Sequence, residues 1–271
     1  MKVLLSGAAG FLGSQILKML LADDDHVSCL IHRSDIAYSD VTKLHSINDL
    51  DDDYEVVYHT SAYIPYGHLR TKSPLLKEVN VDLTRALLKK LPSARFVFTS
   101  TTSVYGDLNE KIAIDSDFHN PSEYAISKIE AEKLVRAQAS FAILRLTSLI
   151  GEGMKAISFV PQIIEQAKSS SFVNLYGDGS RLQNYLDVRD AAWLTVKAGH
   201  MERNFTALGV SDKSHSNLQV SEIVSSLTGA KIRASGEDFS VSRVYDYHSS
   251  HEMMNFKPKY SIEETIKSMV Q

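Results

Sequence analysis

Lys2-Val-Leu-Leu-Ser-Gly-Ala-Ala-Gly-Phe-Leu-Gly13 is an apolar run that enters three glycines, at 7, 10 and 13, and continues into Ser14-Gln-Ile-Leu-Lys-Met-Leu-Leu21. The pattern reads as strand, glycine turn, helix. Gly7 lets the chain turn sharply off the strand, Gly10 keeps side-chain bulk away from a pyrophosphate approaching the backbone, and Gly13 lets the helix sit against the sheet. The first helical residues, Phe11, Leu12 and Gly13, offer unpaired N–H groups and the positive end of the helix dipole to an anion. A glycine turn alone often does no more than close tightly. Here the strand before it and the Ile16, Leu17, Leu20 and Leu21 face after it supply the context of a dinucleotide-binding unit.

A chain of 271 residues can bury the core of one large α/β domain, or of one domain with a smaller lobe. Its net charge of −4 gives no basic footprint for nucleic acid or for an anionic membrane surface. No apolar run nears the roughly 20 residues that span a bilayer. The first strand starts at residue 2, with no room for a secretory signal, so the expectation is a cytoplasmic protein. The single cysteine, Cys29, lies in the apolar stretch Val27 to Ile31 and reads as a small core residue; one cysteine allows no disulfide within the chain.

Val27–Ile31 reads as the second strand. An acid at its tip would bind a ribose 2′-hydroxyl, whereas a base suits a 2′-phosphate. The tip is His32-Arg33-Ser34, which points to NADP, with NAD as the alternative. Asp40-Val41-Thr42 follows an expected short third strand, and Asp49 to Asp53 reads as a solvated acid loop rather than a metal site. Val56 to Ala62 is an expected fourth strand turning from apolar to small polar residues. Pro74 opens a helix whose apolar face is Leu75, Leu76, Val79, Leu83, Leu87 and Leu88, ended by Pro92. Arg95–Phe98 is a fifth strand that runs into the hydroxyl-rich Thr99-Ser-Thr-Thr-Ser103. A helix from Glu123 to Ala139 and a strand from Phe141 to Leu146 continue the alternation.

This pattern implies a Rossmann-type, doubly wound parallel α/β sheet. Past Gly151 the pattern loosens, so residues 1–150 plus about 184–211 are expected to form the dinucleotide-binding domain. A smaller C-terminal α/β substrate lobe is expected from 151–183 plus about 212–271.

Tyr124-Ala-Ile-Ser-Lys128 puts a phenol and an ammonium four residues apart, on one face of a helix. Of the 12 tyrosines, Tyr124 is the only one followed by lysine at that spacing. An ammonium beside a phenol favours the phenolate, and such a tyrosine can move a proton to or from a substrate oxygen while hydride passes to nicotinamide. No His-Glu-x-x-His or comparable cluster suggests a metal, and no Gly-x-Ser-x-Gly elbow suggests a serine hydrolase.

With the glycine turn and the Tyr124/Lys128 pair placed, the sequence resembles the extended short-chain dehydrogenase/reductase superfamily, in its NAD(P)-dependent epimerase/dehydratase branch, nearly end to end. The resemblance makes Asp40-Val41 the adenine-contacting pair, His59-Thr60-Ser61-Ala62 the segment beside the cofactor, and Asn80-Val81 a pair touching the cofactor region. Thr99 to Gly106 resembles the family's hydroxyl segment ending in Val-Tyr-Gly, which makes Thr101 the catalytic hydroxyl alongside Tyr124 and Lys128. Leu144 to Gly151 resembles its Arg-Leu strand, with Thr147 at the cofactor and Ser148 at the substrate, where the family has Asn. Tyr176 to Ser180 and Tyr185 to Asp190 resemble the substrate-lobe signature; Gln183 stands where an arginine is usual, with Arg181 two residues earlier. Phe256 to Lys259 with Ser261 to Glu264 resembles the closing segment.

The resemblance implies a nucleotide-activated sugar as substrate and a homodimer packed through the helix of Tyr124 and the one before it. Thr102 and Ser103 follow Thr101 where dehydratases of the family have Asp-Glu, which speaks against a 4,6-dehydratase. The expected activity is an NADPH-linked keto-sugar reductase. An NAD-dependent epimerase, a reductase of non-sugar ketones and a non-catalytic dinucleotide sensor are the alternatives.

Overall fold

A computed structural model describes residues 1–32, 35–65 and 72–271. Its strands begin with β1 (Lys2–Ser6), β2 (His26–Leu30), β3 (Thr42–Leu44), β4 (Val56–His59), β5 (Arg95–Thr101) and β6 (Phe141–Leu146). β7 (Ser148–Ile150), β8 (Phe172–Tyr176), β9 (Leu182–Asp187), β10 (Phe205–Gly209), β11 (Ser214–Ser216) and β12 (Lys231–Ser235) follow. Seven strands form one sheet in the order β10-β6-β5-β4-β1-β2-β3, with every pairing parallel. The order reverses at β1, so the crevice between β1 and β4 at the carboxyl edge is the switch point where doubly wound sheets bind ligands.

The helices are α1 (Phe11–Ala22), α2 (Pro74–Lys77), α3 (Leu83–Lys90), α4 (Glu123–Arg136), α5 (Phe159–Ser170), α6 (Val188–Gly199), α7 (Asn217–Thr228), α8 (His248–Met254) and α9 (Ile262–Val270). Strands buried on both faces need unbroken apolar runs, which is why β1 and β5 do not alternate. Val3 and Leu5 pack under Ile16, Leu17 and Leu20 of α1 and Leu194 of α6, with Cys29 buried in the same cluster. Leu4, Phe96 and Phe98 face Leu87 and Leu88 of α3 and Ala131 and Val135 of α4.

Two expectations are corrected here. The helix opened by Pro74 runs unbroken to Lys90 but is not a regular α-helix: Glu78–Asp82 form a π-helical turn between α2 and α3. That widened turn brings Asn80 and Val81 inward, leaving Leu75, Val79 and Leu83 half-buried instead of aligned on one face. The second correction concerns Asp40-Val41, which precedes the third strand instead of following it. β3 runs parallel to β2, with Thr42 opposite Ser28 and Leu44 opposite Leu30. Asp40 and Val41 therefore enter β3 at the amino edge of the sheet, away from the glycine turn, and the chain reaches the carboxyl edge at His45-Ser46-Ile47.

The acid stretch is solvated and locally paired. Asp51 and Asp53 bind Lys2, Asp52 binds Lys90, and Ser46 with Asp49 forms a capping box on a short 3₁₀ turn.

β11, β9 and β7 form a second sheet, and β8 pairs with β12 in a third. Residues 148–150 and 184–187, read from sequence with the main unit, pair with one another or with β11 in that second sheet, and the chain rejoins the main fold at α6. A separate apolar cluster of Ile150, Ile163, Val173, Val220, Val224 and Ile266 fills this region. The segments Tyr185–Asp190 and Phe256–Lys259 meet where Asp190 accepts the N–H groups of Lys259 and Tyr260 at 3.0 and 3.1 Å. Thr265 of α9 donates to Asp187 at 2.7 Å.

Arg145 of β6 ties the main sheet to α4. Its Nε and Nη2 donate to the two carboxylate oxygens of Glu132 at 3.0 and 2.8 Å, and its Nη1 donates to the Tyr105 hydroxyl and the Ile114 carbonyl at 2.8 and 3.0 Å. Burial works to raise the Glu132 carboxyl, and the hydrogen bonds from Arg145 overcome it, holding the group below the usual carboxylate range. Replacing one partner of a buried pair leaves the other charge uncompensated. Arg145→Met is expected to cost about 3 to 5 kcal/mol by denaturant unfolding; a loss under about 1 kcal/mol, the size of a surface pair, would show that Arg136, which donates from Nη2 to Glu132 Oε2 at 2.9 Å, satisfies the carboxylate alone.

Candidate active site

The glycine turn is fixed by space. Gly7 has φ +83°, and a Cβ there would lie 2.7 Å from Thr60 Oγ1 and 2.8 Å from Ser61 N. A Cβ on Gly13 would lie 2.0 Å from the Gly7 carbonyl oxygen. Gly10 differs: its φ is −79°, it caps α1, and a Cβ there would meet only that same carbonyl oxygen, at 3.0 Å. The protein itself demands Gly7 and Gly13, while the space above Gly10 stays open beside the first-turn N–H groups of Phe11, Leu12 and Gly13.

Behind this turn runs a buried polar chain that sequence reasoning missed. His59, fully buried at the end of β4, contacts Ser6 Oγ through Nδ1 at 2.5 Å and Thr84 Oγ1 through Nε2 at 2.9 Å. Thr84 donates its own proton to the Asn80 carbonyl at 2.8 Å. It must therefore accept from His59 Nε2–H, which leaves Nδ1 to accept from Ser6. Burial, with the Lys128 charge adding to it, pushes His59 down to about 3, so the ring is neutral. Thr60 Oγ1 donates to the Ser6 carbonyl at 2.7 Å; Ser61 is half-exposed and Ala62 exposed beside it.

Asn80 is a clamp and not a surface contact. Its Oδ1 accepts from Tyr63 N at 2.8 Å, and its Nδ2 donates to the Tyr63 carbonyl at 3.0 Å and to Ser127 Oγ at 2.9 Å. Expected in the cofactor region, Asn80 is buried in the π turn and locks the segment after β4 onto α4.

Ser122 caps α4 by accepting from Ala125 N, and the helix buries Tyr124 and Lys128 on one face. Lys128 Nζ sits 4.0 Å from the centre of the Phe98 ring on β5, and Ser127 donates to the Tyr124 carbonyl at 2.7 Å. Burial lowers Lys128 to about 7, opposed by Glu132 one turn on. Burial also raises the Tyr124 phenol above its ordinary value. The expected lowering of this phenol by its neighbour is thus corrected: in the protein alone, desolvation governs both groups.

α4 packs against β5 and against the 3₁₀ turn Thr102–Tyr105 that follows it. Thr101 caps that turn, accepting from Ser103 N and donating to Ser103 Oγ, both at 3.1 Å. Thr99 donates to the His59 carbonyl, and Thr102 accepts from the Tyr245 hydroxyl at 3.0 Å. Most of the hydroxyl cluster serves its own fold; Thr101, at the end of β5, and Ser103 are its half-buried members.

The remaining expected residues are more scattered. His32 is exposed just past β2, and Arg33 lies outside the described residues. Thr147 is nearly buried and donates to the Asn184 carbonyl at 3.1 Å. Ser148 accepts from Gln183 Nε2 at 3.4 Å, and Arg181 donates from Nε to the Val241 carbonyl at 3.3 Å. Among the described residues no three metal-binding side chains cluster, and no helix is long and apolar enough to cross a membrane.

Residues 3–206 match the sequence profile of the NAD dependent epimerase/dehydratase family. Over 314 aligned positions the chain is 24% identical to UDP-N-acetyl-alpha-D-glucosaminuronate decarboxylase of Bacillus cytotoxicus, spanning 100% of this chain and 97% of that protein. MoeE5, solved with UDP-glucose and NAD, shares the fold at TM-score 0.88 and 22% identity over 100% of this chain and 97% of its own. UDP-glucuronic acid 4-epimerase of Bacillus cereus, solved with UDP-glucuronic acid and NAD, does so at TM-score 0.86 and 21% identity over 100% and 98%. The profile takes in the glycine turn, the polar chain behind it and the helix of Tyr124 alike, and the chain belongs to the NAD dependent epimerase/dehydratase family.

Proposed function

We propose that the protein acts on a nucleotide-activated sugar with NAD, oxidising a secondary hydroxyl and re-reducing the ketone, as an epimerase does. The observation that carries this reading is the placement of Tyr124 and Lys128 on the buried face of α4, against the strand that ends in Thr101. The glycine turn opens at the same carboxyl edge of the sheet.

The residues fit a dinucleotide. Gly7 and Gly13 permit a backbone approach that any side chain would block, and the open space above Gly10 with the α1 amino end suits a pyrophosphate. NAD, when bound, supplies the hydride acceptor and donor. Tyr124 takes the proton from the reacting hydroxyl and returns it through its phenol oxygen. Thr101 gives up its contact with Ser103 and donates a hydrogen bond to the same substrate oxygen. Lys128, whose described contacts include no hydrogen-bond acceptor, offers its donors to ribose oxygens and in its charged form lowers the cost of a Tyr124 phenolate.

Two points favour the epimerase over the NADPH-linked reductase expected from sequence. The preference for NADP rested on Arg33, whereas MoeE5 and the Bacillus cereus enzyme were solved with NAD. An epimerase also keeps one cofactor through both half-reactions and needs no external reductant. A second reading, supported by the decarboxylase relative, shares the first half: oxidation at C4 of a uronic acid puts a ketone beta to the carboxylate, which then leaves as carbon dioxide. Elimination of water is disfavoured, because Thr102 and Ser103 supply no acid beside Thr101.

Tyr124→Phe is expected to lower turnover of UDP-glucose or UDP-glucuronic acid by about 100- to 10,000-fold while NAD affinity stays within about twofold. Turnover unchanged in the phenylalanine variant would remove Tyr124 from the chemistry. Epimerisation without net NADH consumption separates the epimerase from a reductase, which would oxidise NADH or NADPH stoichiometrically.

A pH dependence follows from Lys128. Its depressed value means the unfolded chain holds more protons than the folded one between about 7 and 10.5, so this group makes the protein alone more stable as pH rises through that window. Ribose oxygens accepting from Lys128 favour the ammonium, so NAD binding at pH 8 is expected to take up a proton. Calorimetry in phosphate and in Tris buffers reads that uptake, and its persistence in Lys128→Met would assign it elsewhere.

A further inference from the structure

Residues 242–246 form a strap that ties the second sheet to the turn carrying the active-site hydroxyls. On the sheet side, Leu182 N donates to Ser242 Oγ at 3.0 Å, Arg243 N donates to the Leu182 carbonyl at 2.8 Å, and Ser214 Oγ donates to the Arg243 carbonyl at 2.7 Å. On the other side, Ile112 N donates to the Val244 carbonyl at 2.9 Å and Asp246 N donates to the Ile112 carbonyl at 2.7 Å. The strap also grips the 3₁₀ turn at both ends. Tyr245 donates its hydroxyl to Thr102 Oγ1, the first residue of the turn, at 3.0 Å. Arg243 donates from Nη2 to the carbonyl of Gly106, the residue that ends the turn, at 2.5 Å.

Tyr245 is 4% exposed, although its residue neighbours 143 positions away in sequence are the ones it bonds. Its ring belongs to a buried apolar cluster with Val104, Tyr105, Ile112, Leu208 and Val210. Burial raises this phenol above its ordinary value, so it remains a donor at neutral pH. Thr101 is coupled to the same turn through Ser103, which both donates to it and accepts from it.

We propose that Tyr245 is a positioning residue for the reaction: by holding Thr102 it sets the turn that aims the Thr101 hydroxyl at the substrate oxygen, and it makes that aim depend on the second sheet. The assignment rests on the functional reading given above. Tyr245 acts through Thr102, to which it donates, and its phenol also lies against Thr147.

Tyr245→Phe removes one oxygen atom and keeps the packed ring. With UDP-glucose and UDP-glucuronic acid as probes, kcat is expected to fall about 10- to 100-fold while KM and NAD affinity stay within about twofold. Thr102→Val is expected to give the same fall, and the double variant no larger one, because the two act through a single hydrogen bond. Wild-type kcat in Tyr245→Phe, with Tyr124→Phe inactive, overturns the proposal; so do single effects that multiply, or a loss in which kcat and KM move together with the melting temperature. If the wild type turns over neither probe, the functional reading fails by itself. Amide exchange over residues 99–106 then still decides the pinning: faster exchange in Tyr245→Phe than in the wild type supports it, and equal exchange overturns it.

Discussion

The approach of α1 to the sheet rests on one contact, the carbonyl oxygen of Gly7 lying where the Cβ of Gly13 would otherwise be. Because that helix can lie so close, Ile16, Leu17 and Leu20 reach the face of β1, and α6 can pack beside them. The same closeness brings the turn against Thr60 and Ser61, so the ends of β1 and β4 define one edge of the crevice. An alanine at position 13 would force the helix away from the strand and open both the core and the site at once.

A second constraint is electrical. The site gathers an imidazole and an amine beneath a tyrosine and keeps both near neutrality by excluding water. His59 is held neutral with its two nitrogens bonded to Ser6 and Thr84, and Lys128 sits on the Phe98 ring close to the pH at which it changes charge. A buried charge without a partner would cost several kcal/mol, so the arrangement stays stable only by leaving the lysine free to shed its proton. The lysine is therefore the group in this site most sensitive to what lies beside it.

Local signals in the sequence were enough for the glycine turn, the parallel alternation and the Tyr124/Lys128 spacing, because each depends on residues within a few positions of one another. The π turn was not legible: Leu75, Leu76, Val79 and Leu83 satisfy a regular helical repeat, and only the tertiary clamp on Asn80 selects the wider turn. Asp40-Val41 fitted a family pattern by residue type, yet the register of β3 against β2 decides which edge of the sheet they occupy. Tyr245 gave no signal at all, since it lies in a stretch without periodicity and its hydrogen-bond partner, Thr102, is 143 positions away in the chain. Features set by neighbours in sequence were readable; those set by register or by long-range polar contacts were not.

The edge strand β10 and the helix before it close the main sheet only after the second sheet's first two strands have been made. During synthesis, β6 and the outer side of α1 stay uncovered until α6 and β10 emerge from the ribosome, and non-local pairings of this kind form slowly. An unfinished chain ending before residue 188 would present an open parallel edge and a bare apolar helix face. The nascent protein is therefore most exposed to aggregation and to chaperone capture over the interval in which residues 151–187 are being added.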